Sequence, residues 1–281
     1  MPRAHRVVRV AAVAGCRAAC SLRGIRLPRQ PYLTHAMEIA LGRYELSLAE
    51  VIGRHLKGGE TAIDVGANIG ILSRAMAKAV GRTGTVFAFE PNPEAFELLR
   101  HNCGRFPQVS VHNVALGSAR GKATLYFTGN PETGSLIAAY AKSQASGSLY
   151  GPLHSAEISI EHGATYLADR LVGRPSLIKI DVEGFELDVL EGLGDVIGPD
   201  FNGLLLVEVS PMSQRSAGRR PLEPVEWLLT HGFQTSLVSE DHCGRLDRFT
   251  AADHQSLLDQ LGNSGYAMVA ATRRSELANS P

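Results

Sequence analysis

The chain has no net charge: 28 lysines and arginines balance 28 aspartates and glutamates over 281 residues. A nucleic-acid partner is therefore not expected, because it needs a surplus of positive charge over one face. A long apolar run is also missing. The best candidate near the start, residues 10–19, is too short to cross a bilayer and is interrupted by Arg17. It makes a poor secretory signal as well, since arginines follow the apolar stretch as well as precede it. Cysteine is scarce. Cys16, Cys20, Cys103 and Cys243 fit no metal spacing and no disulfide framework, and scattered thiols suit a reducing, cytoplasmic compartment. Internal repeats and long low-complexity tracts are absent, which excludes solenoids and repeat arrays.

Acid is missing from the first 37 residues, which carry Arg3, Arg6, Arg9, Arg17, Arg23, Arg26 and Arg29; Glu38 is the first carboxylate. The remainder is therefore mildly acidic. Residues 1–40 read as a basic N-terminal extension. They are expected either to be loosely ordered or to act as a transit peptide or membrane-surface helix, the last giving peripheral contact with the inner face of an anionic membrane.

From residue 61 onward short apolar runs alternate with amphipathic segments, the signature of βαβ units and a parallel sheet. Strands are expected at 61–65, 85–89, 109–114, 176–180 and 203–209, with two more near 233–238 and 266–272. Leu72, Ala75, Met76, Ala79 and Val80 share one helical face, and Phe96, Leu99 and Cys103 give the next helix a buried stripe. Asn92 stands at an N-cap position with Pro93 at the first helical residue. A helix over 223–231 closes on Gly232. A hairpin-like segment, 123–127, precedes a Gly/Ser-rich stretch without period. The region 128–165 is expected to be a loop or lid inserted into one domain spanning 41–275.

Four segments carry chemistry. The first, Ile63-Asp64-Val65-Gly66-Ala67-Asn68-Ile69-Gly70, falls where a strand gives way to a helix. Gly66 permits a tight turn, Gly70 close packing of helix on sheet, and Asp64 places a carboxylate suited to a cationic amino group. This is not the dinucleotide fingerprint, because Asn68 occupies the place of its second glycine. The second segment, Phe87-Ala88-Phe89-Glu90-Pro91-Asn92, ends a strand on Glu90, where a carboxylate can accept both hydroxyls of a ribose. The third, His112-Asn113-Val114-Ala115-Leu116-Gly117, can line an adenine ring. The fourth, Leu177-Ile178-Lys179-Ile180-Asp181-Val182-Glu183-Gly184-Phe185-Glu186, puts Asp181 at a carboxyl strand end. Lys179 lies inside a strand buried on both faces and so requires an acidic partner, for which Glu208 on the next strand is one candidate.

Together Asp64–Gly70, Phe89-Glu90-Pro91-Asn92-Pro93, Asn113–Gly117 and Lys179–Glu186 resemble the successive motifs of the FkbM family of methyltransferases, over roughly residues 45–240. The family's Thr-Leu-Asp run has its nearest counterpart in Thr165-Tyr166-Leu167-Ala168-Asp169, with two residues inserted. The resemblance implies an α/β fold of the class I methyltransferase, Rossmann-like kind: a mostly parallel seven-stranded sheet with helices on both faces. It implies S-adenosylmethionine as donor and O-methylation of a sugar, glycolipid or natural-product hydroxyl.

The expected cofactor contacts are Asp64, Gly66, Ala67, Asn68, Gly70, Glu90, Pro91, Asn92, Asn113, Ala115 and Asp181. Methyl transfer to a hydroxyl calls for alignment and a base. Asp181 is the first candidate, Glu183 the second, with Lys179 in a supporting network; His154 and His162 could reach in from the loop. Asp181, Glu183 and Glu208 could instead hold a divalent cation, a reading not favoured over plain cofactor contacts. Rivals remain: a non-catalytic nucleotide-binding module, a dehydrogenase disfavoured by the missing Gly-x-Gly and Tyr-x-x-x-Lys patterns, and an N- or C-methyltransferase of a small molecule. Base methylation of nucleic acid is disfavoured by the lack of an Asn/Asp-Pro-Pro-aromatic loop.

Overall fold

The computed structural model describes residues 3–128, 130, 134–145, 152–239, 243–262 and 265–273. The chain opens with three helices, α1 (Arg3–Leu22), α2 (Leu33–Leu41) and α3 (Leu46–His55). The βα alternation follows: β1 (Thr61–Val65), α4 (Ile71–Val80), β2 (Thr85–Phe89), α5 (Pro93–Cys103) and β3 (Val109–His112). A second group comprises β4 (Ala115–Gly117), β5 (Gly121–Phe127), α6 (Ala138–Ala145), β6 (His154–His162) and α7 (Gly163–Ala168). The alternation resumes with β7 (Leu177–Ile180), α8 (Glu186–Leu193), β8 (Leu204–Val209), α9 (Pro211–Ser216), α10 (Glu223–Thr230) and β9 (Gln234–Val238). It ends with β10 (Leu246–Phe249), α11 (His254–Leu261) and β11 (Ala267–Thr272).

The main sheet has eight strands in the order β10-β9-β11-β8-β7-β1-β2-β3. Strands β3, β2, β1, β7 and β8 run parallel, and β11 is inserted antiparallel between β8 and β9. This is the class I methyltransferase α/β arrangement with one strand more than the seven expected. The addition is β10, a four-residue edge strand antiparallel to β9, whose Leu-Asp-Arg-Phe is too short and polar to show a period. The order reverses at β1, which has β2 on one side and β7 on the other, so a crevice opens at their carboxyl ends. Apolar side chains fill both faces: Ile63, Ile178, Leu205 and Val207 on one, Ala62, Leu177, Leu204 and Leu206 on the other.

The run expected at 109–114 divides. Beyond His112 the chain leaves the main sheet and β4 joins a second sheet, β4-β6-β5. Within 128–165 the expectation of a loop gives way to α6 and the nine-residue β6. The 123–127 segment is the end of β5, which pairs with the distant β6 in place of a local hairpin. This places His154 beside Phe127, ring centroids 6.0 Å apart, and makes His162 the N-cap of α7.

The arginine-rich start forms helix, contrary to a loosely ordered segment. Cys20, Ile25, Leu27, Ala36 and Ile39 bury against Ile69. Polar contacts then fix the segment. The Arg74 guanidinium donates to the carbonyls of Arg23 (2.8 Å) and Gly24 (3.1 Å). The Asn102 amide accepts from Arg26 N (2.7 Å) and donates to Arg26 O (3.1 Å) and Ile69 O (2.8 Å). Cys103 is buried as its helical face suggested, and burial pushes its thiol up to about 12.

Candidate active site

A cavity of about 300 Å³ lies over the carboxyl ends of β1, β2, β7 and β8. Its floor is made by two turns in contact. Gly66 has φ +80°, and a Cβ there would stand 1.7 Å from the Asp181 carbonyl oxygen, so only glycine lets the β1 turn touch the β7 turn. The N–H groups of Gly66 and Ala67 donate to Phe89 O at 3.0 and 2.9 Å, which pins the first turn beneath the end of β2. Glu90 is thereby held above Asn68. Its Oε2 accepts from Asn68 N and its Oε1 from Asn92 N, each at 2.8 Å. Burial pushes the Glu90 carboxyl up to about 7 despite these two donors. Asn92 caps α5 through its side-chain oxygen. Its Nδ2 and the Asn68 Oδ1 are buried without a partner among the described residues, and both residues line the cavity with Pro91.

Other expected contacts fall differently. Ala115 lines the cavity with Val114 and Leu116. Asn113 is exposed and braces the turn, donating to the carbonyls of Glu90 (2.8 Å) and Pro91 (3.1 Å). Gly70 has φ +85° and a missing Cβ that would meet Leu99 Cδ1 at 2.6 Å and Cys103 Sγ at 3.0 Å; its close packing is against α5, not the sheet. Asp64 is fully buried and lines neither this cavity nor the small adjoining one, so its carboxylate is not open to an amino group.

Asp64 instead belongs to a network beneath the floor. Its Oδ2 accepts the Ser73 hydroxyl at 2.6 Å, and its Oδ1 stands 3.5 Å from Lys179 Nζ. The same ammonium is 3.1 Å from Asp181 Oδ2 and donates to Gly66 O at 3.2 Å. Register explains the choice of partner: Lys179 lies directly opposite Asp64 on β1 and opposite Leu206 on β8, leaving Glu208 two residues further along. Burial alone would depress the Lys179 ammonium, but Asp181 and Asp64 hold it above its ordinary value. Lys179 and Ala67 border only the small adjoining cavity.

Carboxylate oxygens of Asp181, Glu183 and Glu208 all lie within 4.8 Å of one another. Such an oxygen set matches the ligands of a hard divalent cation, and acidic groups also gather without one. Glu183 sits at φ +53°, accepts the Tyr140 hydroxyl at 2.8 Å and is pushed up to about 8 by burial and by Asp181. Burial, then Asp181, also raises Glu208. Glu186 faces away: it accepts from Gly184 N at 3.0 Å, from Val182 N at 3.3 Å and from the Gln214 amide, closing its own loop. His154 and His162, held in β6, line no part of the cavity.

The Methyltransferase FkbM domain matches residues 64–235. The chain belongs to the FkbM methyltransferase family. It is 30% identical over 238 residues to the AMB antimetabolite synthetase AmbE of Pseudomonas aeruginosa, covering 73% of this chain and 11% of that one. It is 33% identical over 136 residues to the hexuronic acid methyltransferase AglP of Haloferax volcanii, 48% of this chain and 50% of that one. It is 28% identical over 151 residues to methyltransferase 1 of Beauveria bassiana, 47% of this chain and 58% of that one. The chain thus spans 11% to 58% of the length of these relatives.

The FkbM region supplies the floor, and one wall comes from outside it. Tyr32, His35, Tyr44 and Glu45, around α2, line the cavity, as does Tyr266 at the start of the last strand. Sequence reasoning missed these residues because no motif joins them. The available signal was weak: Tyr32 and His35 are three apart at a helix start, and Tyr44 follows at the next break.

Proposed function

We propose that the chain is an S-adenosylmethionine-dependent O-methyltransferase acting on a hydroxyl of a sugar, glycolipid or natural-product acceptor. The observation that carries this reading is Glu90. Its carboxylate is fixed by two backbone N–H groups at the switch point, and beside it Asn92 Nδ2 and Asn68 Oδ1 are buried without partners among the described residues. Glu90, Asn68 and Asn92 all line one cavity, and polar groups of this kind suit the hydroxyls of a nucleoside, while a 2′-phosphate would be repelled. The residues therefore fit the cofactor. Glu90 would take its ribose hydroxyls, Val114, Ala115 and Leu116 its adenine, and the Gly66 turn the methionyl end.

When bound, the cofactor supplies an electrophilic sulfonium methyl. The protein's part is alignment and proton removal. Asp181 and Glu183 both face the cavity, and Lys179 positions Asp181 from below. Asp181 is the first candidate base and Glu183 the second, since a carboxyl raised to about 8 is largely protonated near neutral pH and accepts a proton only once ionised. The Haloferax relative, a hexuronic acid methyltransferase, supports a sugar acceptor.

Among the described residues no helix is long and apolar enough to cross a membrane. The arginines of α1 support a peripheral contact with an anionic membrane face. Co-sedimentation with phosphatidylglycerol vesicles should fall when Arg3, Arg6 and Arg9 are changed to glutamine, and equal sedimentation refutes that contact.

Calorimetric titration with S-adenosylhomocysteine tests the central reading. Wild type should bind, and Glu90→Ala should bind about tenfold or more weakly, roughly 1.4 kcal/mol. No binding by folded wild type removes the reading. Binding without transfer to any hydroxyl, amine or carbon acceptor would favour a nucleotide-binding module.

A further inference from the structure

The acceptor half of the cavity has a one-sided chemistry. Apart from Glu90, given to the cofactor, the cavity lining includes the acids Glu45, Asp181, Glu183 and Glu208, and no lysine or arginine among the described residues. The nearest cation, Lys179, is turned beneath the floor toward Asp64, Asp181 and the Gly66 carbonyl.

The second feature is aromatic. Four of the chain's seven tyrosines, Tyr32, Tyr44, Tyr140 and Tyr266, line this one cavity. On the N-terminal wall the rings brace one another. His35 packs edge-on against Tyr32 at 5.2 Å and against Tyr44 at 5.3 Å between centroids. Edge-to-face packing of this kind gives a stiff, partly apolar wall. The same cavity is lined by the carboxyl groups of Asp181, Glu183 and Glu208 at the ends of β7 and β8.

Aromatic wall and carboxylate floor together match a pyranose ring. Its C–H face packs on aromatic surface, and its hydroxyls donate to carboxylates. A carboxylate or phosphate on the same ring would meet acidic groups with no lysine or arginine among the described lining to receive it, and the rejection is strongest at high pH, where Glu183 and Glu208, both raised by burial, are ionised. We propose that this cavity selects an uncharged sugar ring as methyl acceptor and turns away uronate- and phosphate-bearing ones. The inference rests on the O-methyltransferase reading above and narrows its acceptor. It parts this chain from the hexuronic acid named for its Haloferax relative.

The test uses matched probes, a methyl hexopyranoside and the corresponding methyl hexuronoside, which differ only in CH2OH against COO−. Labelled methyl transfer is measured with S-adenosylmethionine, and binding with protein saturated by S-adenosylhomocysteine, both at pH 9, where the raised carboxyl of Glu183 is ionised. The neutral member of each pair should be favoured at least about a hundredfold in kcat/KM or affinity. Glu208→Gln should reduce that ratio about tenfold with S-adenosylhomocysteine affinity unchanged, and Glu45→Gln serves as a second variant should the first not fold. Equal or better use of the uronosides overturns the proposal. So does failure of every neutral member to engage protein that binds S-adenosylhomocysteine, and the cofactor reading survives either result. If folded protein does not bind S-adenosylhomocysteine, the cofactor reading falls and takes this one with it.

Discussion

Replacing Lys179 by methionine is the most direct challenge to the physical account of the site. The side chain keeps its length and apolar stem but loses the charge that Asp64 and Asp181 share at 3.5 and 3.1 Å. At an effective dielectric of about 20 each contact is worth about 5 kcal/mol gross, and the desolvation of the ammonium opposes much of this. The consequence is unequal for the two acids. The Asp181 side chain is 21% exposed and can turn to water, whereas that of Asp64, 1% exposed, cannot. The loss is therefore that of an uncompensated buried carboxylate, about 3 to 5 kcal/mol, or roughly 10 °C in Tm. Urea unfolding followed by circular dichroism would read it. Adding Asp64→Asn should restore at least about 1 kcal/mol, because the stranded charge is gone. A Lys179→Met loss below about 1 kcal/mol, or no recovery in the double variant, would refute the claim that this network holds the floor.

Other outcomes follow from the same geometry. Gly66→Ala should abolish S-adenosylhomocysteine binding by calorimetry, since its Cβ would stand 1.7 Å from the Asp181 carbonyl oxygen and neither turn can yield without the other. Asn102→Ala should cost about 3 kcal/mol in urea unfolding, because it strands backbone groups of Arg26 and Ile69. Binding of S-adenosylhomocysteine should weaken up to about tenfold from pH 8 to pH 6, as Glu90, which titrates near 7, takes up a proton; in Glu90→Gln that part of the dependence should vanish. The ligand-free protein should melt at lower temperature at pH 8.5 than at pH 6. Glu90, Glu183 and Glu186 all bind protons in the folded state that the unfolded chain releases near 4.5, so their stabilising share is lost as pH rises through 7 to 8, and Glu183→Gln should flatten the trend.

What could be read from the sequence was what is local. The strands at 61–65 and 85–89 stand as expected, because an apolar run between turn residues needs no partner to be recognised. The Asn92 cap followed by Pro93 did as well, for the same reason. β6 was legible but overlooked. His154, Ala156, Ile158 and Ile160 alternate with Ser155, Glu157 and Ser159, a period of two hidden behind a Gly/Ser-rich approach. The partner of Lys179 was not legible, because it depends on the register between β1 and β7, which no strand carries alone. The same applies to Tyr32, His35 and Tyr44: only tertiary packing brings the start of the chain over the end of β2.

That packing ties the two halves of the site together. The elements that form the cofactor-side turns, α4 and α5, also grip the N-terminal segment. α4 follows the Gly66–Gly70 turn and carries Arg74, which holds the carbonyls of Arg23 and Gly24. α5 begins at the Glu90–Asn92 turn and carries in its last turn Asn102, which holds Arg26 and reaches back to Ile69 in the first turn. One pair of helices therefore anchors both the Glu90 turn and the segment that leads to Tyr32, His35 and Tyr44. A segment that read in sequence as a basic extension thus contributes Tyr32 and His35 to the cavity lining, and it is anchored through the backbone of Arg23, Gly24 and Arg26.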